Sequence, residues 1–118
     1  MSYKICFLIG NKIYISDGIR SALGLSVENM YTYTYIFYQK MPTKTSYLED
    51  NLYWIRDLEG EVYAVTETMD EEAKNFNLEE WGLVEATLEE VVERIRESDF
   101  VVGYGLPPQT VQIPDQCA

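Results

Sequence analysis

The sequence predicts an α+β fold: a mainly antiparallel sheet from two hairpins, with one amphipathic helix in the C-terminal half and several short helices. Three observations lead there. Gly10-Asn11 separates two apolar runs, as in a two-residue hairpin turn whose glycine supplies positive φ. Asp57-Leu58-Glu59-Gly60 separates two more, in the pattern of a type I turn closed by glycine. Thr87-x-x-Glu90 then opens a helix over 87–98, with Leu88, Val91, Val92 and Ile95 at i, i+3, i+4 and i+7.

Taken in order, residues 3–9 and 12–15 read as the strands of the first hairpin. Ser16 or Asp17 can cap a helix of about two turns that carries Ile19, Ala22 and Leu23 and stops at Gly24. The stretch Tyr31-Thr32-Tyr33-Thr34-Tyr35-Ile36-Phe37-Tyr38 is almost wholly β-branched or aromatic and belongs near the middle of a sheet. Alternation puts Tyr31, Tyr33, Tyr35 and Phe37 on one face. That row reads either as a core surface or as a flat aromatic platform for a ligand, a base or another chain.

Pro42 opens a connector of about ten residues. Leu52–Asp57 and Glu61–Thr66 form the second expected hairpin. Short helices are expected over 70–76, behind a Thr68-x-x-Glu71 capping box, and over 77–82, capped by Asn77. A short strand follows at 83–86. After the 87–98 helix, Asp99–Tyr104 reads as a buried strand, broken by Gly105-Leu106-Pro107-Pro108. Thr110–Ile113 is at most a short edge strand. The 118 residues suit a single compact domain, divisible into a strand-rich part (1–46), an acidic α+β part (47–108) and a tail (109–118).

Charge follows the same division. The chain carries net charge −11, yet residues 1–46 hold five Lys/Arg against two acids and residues 47–118 hold four against eighteen. A mildly basic first part precedes a strongly acidic second part.

Composition narrows function further. There is no histidine, which removes His-based acid–base chemistry, Ser-His and Cys-His nucleophiles and ordinary zinc sites. Gly-rich phosphate loops and nucleophile elbows are absent from the sequence. Asp70-Glu71-Glu72 lacks the spaced oxygen ligands of a calcium loop. No catalysis, metal or cofactor is expected, and a small carboxylate-dependent enzyme is the least favoured reading. No apolar run approaches a membrane span, and Met1-Ser2-Tyr3-Lys4 does not open like a signal peptide. Cys6 in an apolar run and Cys117 near the end read as separate thiols rather than a disulfide framework, so a reducing cytoplasm is the expected compartment.

Residues 12–25, Lys-Ile-Tyr-Ile-Ser-Asp-Gly-Ile-Arg-Ser-Ala-Leu-Gly-Leu, resemble the core motif of the AbrB/MazE/SpoVT swapped-hairpin family. Lys12, Ile13, Ile15, Ile19, Arg20, Leu23, Gly24 and Leu25 stand where that motif has its basic, hydrophobic, Arg and Leu-Gly-Leu positions. Ser16 replaces the motif's proline, and Glu28-Asn29 replaces its Gly-Asp. The resemblance, which reaches to residue 37 at most, implies interleaved strands in a homodimeric barrel, DNA contacts from basic residues, and roles as regulators or antitoxins.

Two function classes follow. The first is a regulatory or neutralising, antitoxin-like protein, its N-terminal element dimerising through the Tyr strand and binding DNA through Lys4, Lys12 and Arg20. Its acidic part would then have to lie more than a Debye length, about 8 Å at physiological salt, from the phosphates. The second is a compact acidic inhibitor, toxin-immunity or nucleic-acid-mimic protein without DNA affinity. In both, a basic protein partner would meet Glu71, Glu72, Glu89, Glu93 and Glu97, with Tyr31, Tyr33, Tyr35 and Trp81 as anchors.

Overall fold

A computed structural model describes residues 3–106. Its centre is a five-stranded, all-parallel sheet in the order β4-β3-β2-β1-β5. The chain runs β1 (Lys4–Ile9), a 3₁₀ turn (Lys12–Tyr14), α1 (Ile15–Val27), β2 (Tyr31–Phe37), α2 (Ser46–Asp57) and β3 (Glu61–Val65). It continues through α3 (Glu71–Asn75), a wider π turn (Phe76–Glu80), β4 (Val84–Ala86), α4 (Leu88–Glu97) and β5 (Phe100–Tyr104). The expected antiparallel sheet is therefore wrong: every strand pair is parallel. Parallel neighbours cannot be joined by tight turns and need crossovers, which here are helices.

Each expected hairpin fails because one of its arms is helical. After β1, Asn11 does not turn the chain back. Its side chain accepts a hydrogen bond from the Ile13 N–H at 3.1 Å and starts the 3₁₀ turn that runs into α1. Ile15, Ile19, Ala22 and Ser26 then form the buried stripe of a helix that passes straight through Gly24. The swapped-hairpin strand implied at 12–15 is accordingly not formed.

The second arm, 52–57, belongs to α2. Leu48, Asn51, Leu52 and Ile55 are buried at i, i+3, i+4 and i+7, and Thr45 caps the first turn. The Asp57–Gly60 turn ends this helix instead of reversing a strand. Glu59 takes the left-handed conformation, with φ 71°, and the Gly60 N–H returns to the Ile55 carbonyl at 2.8 Å.

The topology fixes the layers. Three crossovers step the same way from β1 to β4, and the fourth returns across the sheet to place β5 beside β1. Because such crossovers are right-handed, the return puts α4 on the face opposite α1 and α2. Two cores result. Ile5, Phe7, Ile9, Ile36 and Val62 pack with Ile15, Ile19, Leu52 and Ile55 under α1 and α2. Cys6, Leu8, Tyr35, Val65 and Ala86 pack with Val91 under α4.

The tyrosine-rich strand does lie mid-sheet, as expected, and its rows separate as alternation requires. Thr32, Thr34 and Ile36 turn into the first layer, and Tyr33, Tyr35 and Phe37 face α4. β1 and β3 occupy its two edges, so a second copy cannot pair with it. A dimer paired strand to strand through β2, as the swapped hairpin implies, does not fit this sheet.

Strands contributed by residues 1–46 and by residues 47–106 share the one sheet. No helix among the described residues is long and apolar enough to cross a membrane. Residues 109–118, with the suggested strand at Thr110–Ile113 and Cys117, lie outside the described residues.

Candidate partner-binding site

The α4 face is built by register. Tyr35 on β2 is paired with Tyr63 on β3. Neighbouring strands lie about 4.8 Å apart, the stacking distance of two rings. The two rings accordingly stack at 4.6 Å and 9°.

Over them comes Arg94 from α4. Its guanidinium sits 3.8 Å from the centre of the Tyr33 ring. Its Nε donates to the Tyr35 hydroxyl at 3.0 Å and Nη2 donates to the Tyr63 hydroxyl at 3.3 Å. The helix wheel explains the position: Arg94 is about 60° from the buried Val91, on the side toward β2 and β3.

Electrostatics here are set by burial and by this one cation. Burial pushes the Tyr35 hydroxyl up to about 12 against the pull of Arg94, and it raises Tyr63 too. Desolvation works against the Arg94 charge, but the Tyr35 hydrogen bond and nearby tyrosine oxygens outweigh it, so its pKa rises above the usual arginine value. Cys6, beneath the same layer, is raised by burial to about 11. That keeps it a neutral packing group at neutral pH.

Between α4 and the β3–β4 side of the sheet runs an open groove of about 650 Å³. Tyr35 and Tyr63 lie along it with Arg94, and Glu85, Glu89, Glu90, Glu93 and Glu97 line it. Glu90 is occupied locally, closing the capping box on the Thr87 N–H at 2.7 Å, and so serves the helix start rather than Arg94. Glu93 pairs with Arg96 at 2.8 Å and Glu97 with Arg94 at 3.8 Å. The Glu93–Arg96 pair is mostly exposed and of little strength, whereas Glu97 is half-exposed against a mostly buried Arg94. Glu85, paired in register with Ala64, turns to the other face of the sheet, where it accepts from the Thr66 hydroxyl at 2.6 Å, which lowers its pKa, and pairs with Lys74 at 3.4 Å.

The expected partner residues divide accordingly. Tyr33, Tyr35, Glu89, Glu93 and Glu97 come together around α4. Tyr31 is exposed at the start of β2. Glu71 lines an adjoining polar cavity with Glu67, Lys74 and Glu85, while Glu72 stands exposed in the first turn of α3.

Trp81 is no anchor: it is 4% exposed, and its Nε1 donates to the Pro42 carbonyl at 3.0 Å. Beside it the buried Asn77 does not cap a helix. Its side chain accepts from the Met41 N–H and donates to the Gln39 carbonyl, both at 2.8 Å, fastening the connector after β2.

The three DNA candidates do not gather. Lys4 begins β1 and Lys12 follows its far end, with about 17 Å of strand between them. Arg20 pairs with Asp17 on α1 at 2.6 Å.

Arg94 was missed as a site residue. Read from sequence it belongs to the polar face, four residues after Glu90; its signal is its place at the border of the apolar stripe.

No family model matches the chain, and no curated protein matches it. Among solved structures it is similar to the crystal structure of the YchN protein from E. coli. The TM-score is 0.57 at 15% identity, over 86% of this chain and 99% of that one. At that identity the likeness is one of fold.

Proposed function

We propose that this chain is a non-catalytic interaction protein that neutralises or regulates a basic protein partner, docking it on the acidic flank of α4. The observation that carries this reading is the groove itself. Four glutamates of α4, Glu89, Glu90, Glu93 and Glu97, line it against one arginine, and that arginine is already committed to the tyrosine floor. Such a surface steers a basic partner and rejects acidic ones. DNA binding draws no comparable support, since Lys4, Lys12 and Arg20 are scattered over different elements.

The test is a fluorescence-anisotropy titration with a labelled arginine-rich peptide. It compares Glu89→Gln/Glu93→Gln/Glu97→Gln with Asp50→Asn/Asp57→Asn/Glu59→Gln, which removes equal charge from the α2 side. The α4 variant is expected to lose on the order of tenfold more affinity than the α2 variant. Equal losses would reduce the effect to net charge and defeat the proposal.

A further inference from the structure

The two edges of the sheet are unlike. β4 is three residues long, carries Glu85, and runs directly into the capping box of α4. Short, charged strands of this kind resist further pairing. β5 is the opposite: Phe100-Val101-Val102-Gly103-Tyr104 contains no charge and no proline, and among the described residues only β1 pairs with it.

Apolar side chains stand in water on both sides of that edge. On the α4 face, Val101 is 46% exposed, and Leu88 and Val92 are each 45% exposed. Leu88 and Val92 lie on the flank of α4 turned away from Arg94, hence toward β5. Leu106 covers Gly103, where a Cβ would meet its side chain. On the other face Phe100, 53% exposed, packs edge-to-face with the half-exposed Tyr3 at 5.4 Å. The nearest acid in sequence, Asp99, is held by the Lys4 N–H at 2.8 Å.

We infer that the β5 edge is where two copies of this chain associate, pairing β5 antiparallel with β5 about a two-fold axis. A docked helix would bury one apolar flank and leave the strand's backbone groups unpaired. A strand with apolar rims on both faces satisfies the ladder and both flanks, and β5 is itself such a strand. A two-fold contact is self-complementary, so one uncharged edge serves both sides. Charge bears on it too: two chains of net charge −11 approach most readily along β5, which carries no carboxylate, while Glu89 and Glu93 beside Leu88 and Val92 face Arg96 at the rim. Glu97 stays on the groove side of α4, and Glu89 and Glu93 lie at the rim between the two surfaces.

Sedimentation equilibrium of the full chain tests this across concentration and salt. The dimer is expected to tighten as salt rises, because screening relieves repulsion while leaving the apolar contact intact. Val101→Lys on the strand and Val92→Glu on the helix should each weaken association at least about tenfold, with far-UV circular dichroism unchanged. A monomer at every concentration overturns the inference, as does a dimer indifferent to both variants. So does a chain that dimerises only after truncation behind Leu106, since its own last residues would then occupy the edge.

Discussion

Arg94 holds the α4 layer by two kinds of contact at once, a cation–π contact and hydrogen bonds to two tyrosine hydroxyls. Arg94→Ala leaves the Tyr35 hydroxyl, on a side chain 2% exposed, without this donor. A loss of about 2–3 kcal/mol in urea denaturation is expected. Arg94→Lys should recover only part of it, since an ammonium cannot lie flat on a ring and serve two hydroxyls together. Cys6 gives a second, pH-dependent signature. Its folded pKa of about 11 lies above its ordinary value of 9.0, so its contribution is complete below pH 9 and is lost as pH climbs to about 11. Melting temperature should fall across that window, and Cys6→Ala should flatten the part due to the thiol. A variant with the same alkaline slope as wild type would remove Cys6 from the account.

Among elements, α4 is the one the sequence defines best and the one the core holds least. Its capping box forms with both bonds, 2.7 and 3.2 Å, yet Val91 is its one buried residue. Thr87→Ala should therefore cost about 1 kcal/mol and fray the groove wall, seen as faster amide exchange over residues 88–91. The capping box and the alternation of the tyrosine strand were legible because they are local patterns, whereas the apolar stripe of α4 was only half so, since Leu88 and Val92 are each 45% exposed. The sheet's direction was not legible. Gly10-Asn11 is equally a hairpin turn and a strand-to-helix joint, and which it becomes depends on whether residues 12–27 find a sheet to cover. Leu48, Asn51, Leu52 and Ile55 carried a helical period that the turn at 57–60 masked, because Asn51 is a polar member of a buried stripe. Half of the candidate site was legible as acid and tyrosine. Arg94, which organises it, was hidden among the charges of α4.

At the scale of the whole molecule, topology separates two surfaces with opposite salt responses. The returning crossover puts α4 alone on its face of the sheet, so its acidic flank stays open beside β3 and β4 while its apolar flank looks toward β5. Binding of a basic partner should weaken with rising salt, and self-association should strengthen. The most direct test of the central claim is an amide chemical-shift titration of the labelled chain with an arginine-rich peptide. Shifts confined to Val84–Glu97, Tyr35 and Tyr63 are expected. Shifts spread evenly over every acidic element, or centred on α2 and α3, would contradict it.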